Sequence, residues 1–144
     1  MSKSVLCAID LSNGDMDNPV LMQAARLAEM DGAQLDVVSV LPDYGETWVS
    51  TFFEAHHHER IEAEALEKLK ALCVQTLGAE RNASIRHVIA TGTAYREILN
   101  TAKQAGSDLI VIGAHKPDLK DYLLGPNAAR VVRHSAVSVF VVRS

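Results

Sequence analysis

At 144 residues, 48% hydrophobic and 22% charged, the chain has the length and apolar content of one domain spanning residues 1–144, with room for a two-sided core. Its formal net charge of -4, with Lys and Arg scattered rather than gathered into a stripe, excludes the electrostatic footprint of a DNA- or RNA-binding protein. Two cysteines, Cys7 in an apolar run and Cys73 in a helical pattern, are too few and too embedded for a disulfide framework. No apolar run reaches membrane-spanning length, so a soluble cytoplasmic protein without a membrane partner is expected.

In chain order, the first apolar run is "SVLCAI" (Ser4–Ile9), which reads as a strand. A helix follows, with Asn18 as the expected N-cap, Pro19 at the first helical position and Gly32 as the stop; Val20, Ala24, Leu27 and Ala28 form its apolar face. "LDVVSVL" (Leu35–Leu41) is the second strand. The stretch "PDYGETWVSTFFEAHHHER" leaves the start of the second helix open, but Ile61, Ala65, Leu69, Leu72 and Cys73 recur at helical spacing beyond it. "SIRHVIA" (Ser84–Ala90) predicts a third strand, and Thr93 an N-cap for a helix that turns Ile98, Leu99 and Ala102 inward and ends at Gly106. After the strand "DLIVIGA" (Asp108–Ala114) comes the long connection "GAHKPDLKDYLLG". A helix starting at Pro126 then buries Ala128, Val131, Val132 and Ser135, and the strand "VSVFVV" (Val137–Val142) closes the pattern.

Strands alternating with amphipathic helices predict an α/β fold: a doubly wound, five-stranded parallel sheet of order 3-2-1-4-5 with helices on both faces, Rossmann-like. Such sheets bind ligands outside the carboxyl ends of their strands. This directs attention to Asp10 after the first strand, to Val40, Leu41 and Pro42 at the exit of the second, and to the segment Gly113 to Gly125 after the fourth. That segment runs into a helix N-terminus, whose unpaired N–H groups and positive dipole end attract anions. Asp10 also suits an Asx turn, and Lys116 and Lys120 also suit solvated loop positions.

Other features read as structural. Three consecutive histidines, His56 to His58, point about 100° apart on a regular helix and cannot converge on one ion, although His58 can pair with Glu54 or Glu62. No nucleophile, base and orienting group lie together near His115, so no catalytic set is recognisable. Ser12 in "DLSNGD" lacks the paired glycines of an SGGxDS pyrophosphatase loop. The uncharged run "VSVFVV" would be a sheet edge in the expected order and invites pairing with a second chain.

With "VLCAIDLS", "DLIVIGAHKP" and "LLGPNAARVVRHSAVSVFVV" in view, the chain resembles the universal stress proteins over its whole length, in particular the small bacterial nucleotide-binding type. ATP-binding members carry a glycine, two residues, a glycine, nine residues, then glycine and Ser or Thr. Here Gly113 and Gly125 match the outer glycines, Lys116 stands for the middle one, the loop is one residue shorter, and Pro126 replaces the hydroxyl residue. A branch with a His-basic-Pro turn and an "LLGSNA" helix start is more similar, with Pro126 the main departure. The resemblance implies that Asp10 and Val40 border the nucleoside and that Gly113 and His115 line the way to the phosphates. It also implies that Gly125, Asn127 and Ala128 present the helix N-terminus to those phosphates. Lys116, turned inward, would neutralise phosphate. ATP, ADP or AMP, with Mg2+ as a companion ion, is the expected ligand, serving regulation or sensing in a stress response with at most weak ATPase activity. A homodimer through Val137–Val142 is the expected assembly. The alternative is a dimeric interaction module whose nucleotide site is degenerate.

Overall fold

The computed structural model describes residues 3–42, 51–114 and 126–143, and of residues 15 and 51–57 the backbone alone. Five strands, β1 (Ser4–Ala8), β2 (Gln34–Leu41), β3 (Arg86–Thr91), β4 (Leu109–Ala114) and β5 (Ser138–Arg143), form one parallel sheet in the order β3-β2-β1-β4-β5. The helices between them are α1 (Asn18–Asp31), α2 (Thr51–Leu77), the single turn α3 (Ala79–Asn82), α4 (Ala94–Ala105) and α5 (Pro126–His134). The expected sheet order is therefore the observed one.

Side-chain alternation in the strands divides the interior into two layers. Val5, Cys7, Val37 and Val111 pack with Val20, Leu21 and Ala24 of α1 and with Leu69 and Cys73 of α2. On the other face, Leu6, Ala8, Val38 and Ile110 pack with Ile98 and Ala102 of α4 and with Ala128 and Val131 of α5. β1, central and covered on both faces, is buried along all its residues, which is why it reads as an unbroken apolar run. Burying a Leu or Ile such as Leu6, Leu21, Leu69 or Ile110 contributes about 1.5 to 3 kcal/mol of transfer free energy.

Asp36 of β2 is 1% exposed and lies beside Arg86 of β3, whose Nε and Nη2 donate to its two carboxylate oxygens at 2.6 and 2.8 Å. The bidentate pair raises the guanidinium pKa, chiefly through the hydrogen bond, and supplies Asp36 with the counter-charge its burial demands.

Element ends match the sequence where chain geometry decides them. Gly32 and Gly106 both adopt left-handed conformations after α1 and α4, with φ of 62° and 68°, and their N–H groups take up carbonyls of the last turn. Four local expectations need correction. Asn18 is already helical and Asp17 occupies the N-cap position, with its side chain turned to another partner. Thr93 sits at the N-cap of α4, yet its hydroxyl makes no capping hydrogen bond. Val132 of α5 is exposed because it lies about 100° around the helix from the buried Val131. Ser135 is only half-buried: it follows the helix, donating from Oγ to the Val137 carbonyl at 2.7 Å and accepting from its N–H at 3.0 Å.

Candidate functional site

β1 lies between β2, to which the chain passes through α1, and β4, which it reaches later from the other side. Connections leaving β1 and β4 diverge at this reversal and open a crevice at the carboxyl end of the sheet. The resulting cavity, of about 650 Å³, has walls from Asp10, Ser12 and Asp17 after β1, Val40 to Pro42 at the end of β2, Gly113 of β4, and Pro126 to Ala128 at the start of α5. Its volume falls in the range of small-molecule and cofactor sites. A second hollow, of about 230 Å³, lies where α1 meets the start of β2, under the Arg81–Glu29 ion pair, and has no strand exit or helix N-terminus in its wall.

The β1 side of the crevice is a folded loop. Beyond Ile9, whose N–H donates to the Val38 carbonyl at 2.9 Å, the chain enters a kinked 3-10 segment, Leu11–Asp17. Asp10 Oδ1 accepts from the Ser12 N–H at 2.9 Å and from Ser12 Oγ at 2.6 Å, and the Asn13 N–H donates to the Asp10 carbonyl at 3.0 Å. This is the Asx turn that the residue type allows. Asp17, 3% exposed, accepts the Asp10 N–H on Oδ2 at 2.6 Å.

The first turn of α5 also lines the crevice, through Pro126, Asn127 and Ala128. Pro126 has no N–H, while the amides of Asn127 and Ala128, at first-turn positions, have no intrahelical acceptor. The wall of the cavity therefore holds both carboxylate acceptors, from Asp10 and Asp17, and a helix N-terminus. That combination suits a ligand carrying both hydroxyl or amine donors and an anionic group.

Of the residues singled out from sequence, Asp10, Val40, Gly113, Asn127 and Ala128 all line this one cavity. His115, Lys116, Lys120 and Gly125 lie outside the described residues. Leu41 and Pro42 at the exit of the second strand line it as well, whereas sequence reasoning missed Asp17, Gly92, Ala94 and Ile98. Gly92 carried a readable signal, a glycine between a strand and a capping residue. Its φ of 140° suits glycine, and its N–H donates to the Leu41 carbonyl at 2.9 Å, tying the β3 exit to β2.

Elsewhere, His58 pairs with Glu62 at 2.7 Å and contacts Thr91 Oγ1 at 3.2 Å, one of the helical pairings expected for it; the side chains of His56 and His57 lie outside the described residues. Among the described residues no group of three or more His, Cys, Asp or Glu is arranged to hold a metal. Both cysteines are buried as expected. Burial pushes the Cys7 thiol well up, with Asp17 and Cys73 adding to the shift, and pushes Cys73 up to about 11. No described helix is long and apolar enough to cross a membrane.

Fold and crevice together define a doubly wound α/β protein with a cavity at its topological switch point. The chain belongs to the universal stress protein family, whose model matches residues 1–143. It is 28% identical over 146 residues to universal stress protein G of Shigella flexneri, covering 99% of this chain and 100% of that one. Among solved structures it is similar to the universal stress protein UspA from Lactobacillus plantarum, with a TM-score of 0.74 and 23% identity over 98% of this chain and 97% of that one. It is also similar in fold to a universal stress protein solved in complex with cAMP, at a TM-score of 0.63 and 20% identity over 98% of this chain and 97% of the other.

Proposed function

We propose that this protein binds an adenine nucleotide, ATP, ADP or AMP, as a regulatory or sensing ligand rather than turning it over efficiently. The observation that carries the reading is that one switch-point cavity is lined by both the Asp10 carboxylate and the α5 N-terminus. In this reading Asp10 and Val40 border the nucleoside, Val40 through its backbone. Gly113 and His115 line the path to the phosphates, and Gly125, Asn127 and Ala128 receive them, with Lys116 as a neutralising charge. A similar fold holding cAMP supports a nucleotide as the class of ligand. Isothermal titration with ATP, ADP and AMP tests it: binding heat is expected with at least one of them. No heat and no thermal shift at millimolar nucleotide would overturn the reading.

Assembly as a homodimer through β5 belongs to the same proposal. β5 is the sheet edge, and Phe140 on it is 39% exposed. The competing reading is an interaction module with a degenerate nucleotide site, favoured by Pro126, which removes a donor from the helix start. Nucleotide released on denaturing the purified protein would count against that alternative.

A further inference from the structure

We propose that Asp17 is a positioning residue for the crevice, a buried latch that holds Asp10 in register with the ligand. Asp17 stands where an aspartate would ordinarily cap its own helix, and its side chain does not do so. The carboxylate turns back across seven residues to accept the Asp10 N–H at 2.6 Å, while remaining 3% exposed in the cavity wall.

Gly14 makes that return possible. Its φ of 60° and ψ of -125° are those of the first central residue of a type II′ turn, a conformation that a side chain strongly disfavours. The kink lies within Leu11–Asp17, between the two residues, Asp10 and Asp17, that the hydrogen bond joins. With its N–H held by Asp17, Asp10 takes both Ser12 donors on Oδ1, and Oδ2 receives no hydrogen bond from another described residue. The latch thus fixes the backbone and the Asx turn fixes the side chain. Together they assign the two oxygens of Asp10 different tasks, Oδ1 to the loop and Oδ2 to a donor in the cavity.

The ligand part of this inference rests on the nucleotide reading above, whereas its backbone part does not. Asp10 belongs to the nucleoside end, so loosening it should weaken adenosine, AMP and ATP by one common factor, unlike any change at the phosphate end. The experiment compares the intact protein with its Asp17→Asn and Asp17→Leu variants by calorimetric titration of all three ligands and by amide hydrogen exchange at Asp10. Asparagine keeps an oxygen acceptor in place and is expected to bind within about threefold of the parent. Leucine removes it and is expected to weaken all three ligands about tenfold, the usual size of one lost charge-assisted hydrogen bond. It is also expected to accelerate exchange at Asp10 at least about tenfold while Leu6 and Val37 stay protected. If Asp17→Leu does not fold, Gly14→Ala, which strains the same turn, carries the same expectations. Unchanged Asp10 exchange, weakening confined to ATP, or Asp17→Asn behaving like Asp17→Leu overturns the proposal. Should the parent protein bind none of the three ligands, the nucleotide reading falls, and the exchange data decide the latch alone.

Discussion

Replacing Pro126 by serine changes the donor set at the cavity end of α5 and nothing in either core layer. Pro126 is exposed and stands at the first helical position, where its fixed φ suits the helix but its ring offers no N–H. Serine restores an amide and adds a hydroxyl beside the amides of Asn127 and Ala128. A hydrogen bond to a charged group contributes about 1.5 to 3 kcal/mol, and each 1.4 kcal/mol is a factor of ten, so one new donor on a terminal phosphate tightens ATP by about tenfold to a hundredfold. AMP, lacking those phosphates, should gain less than about threefold. The folded protein should lose roughly 0.4 to 1 kcal/mol, because serine leaves the unfolded chain freer than proline does. Affinity must therefore be read by isothermal titration at a temperature well below unfolding, not from melting shifts alone. Equal tightening of AMP and ATP would show that the phosphates do not lie where the α5 N-terminus places them. No change for either would remove α5 from the binding site.

Arg86→Ala leaves the buried Asp36 carboxylate without its guanidinium and, because the Arg86 side chain is itself 58% exposed, should cost about 1.5 to 3 kcal/mol in denaturant unfolding, with Arg86→Lys in between because an ammonium cannot bond both oxygens in a fork. A loss below about 0.5 kcal/mol would mean that Asp36 is solvated in solution. His87 on β3 has its pKa lowered from 6.5 by burial first and by the charge of Lys70 second, so the unfolded chain takes up the proton before the folded one as pH falls. Stability from this residue is therefore full above about pH 6.5 and declines below it; His87→Gln should flatten the melting temperature between pH 5 and 7, and an unchanged slope would assign the pH response elsewhere. Phe140→Asp places a charge on the exposed edge strand and should convert a dimer to a monomer in sedimentation velocity; a variant that sediments like the parent would rule out β5 as the interface.

The fold was legible because its signals are local and repeated. Each strand is a short apolar run, each main helix has an apolar stripe, and Gly32 and Gly106 stop helices for a reason visible in one residue type. What sequence spacing could not assign were positions decided by tertiary partners. Ile85 is buried yet precedes β3, because its N–H and that of Ser84 are bound to carbonyls of Asn82 and Arg81 in the turn before it. Val132 follows the apolar rhythm of α5 but lies off the face that meets the sheet, and nothing in "ARVVRH" says which of its two valines points inward.

The candidate site divides in the same way. Asp10, Val40, Gly113, Asn127 and Ala128 were readable because strand exits and a helix start are sequence-visible and the winding rule brings them to one crevice. Asp17 was not readable: an acidic residue just before a helix looks like a cap, and only the fold of Leu11–Asp17 reveals that its carboxylate serves Asp10 instead. That contact also makes the two readings of Asp10, as a turn residue and as the proposed ligand contact, compatible. The turn consumes Oδ1 and the latch holds the backbone, so neither competes with the cavity for Oδ2. A single carboxylate can then stabilise its loop through Oδ1 and still offer Oδ2 to a ligand hydroxyl, so the structural role does not compete with the proposed binding role.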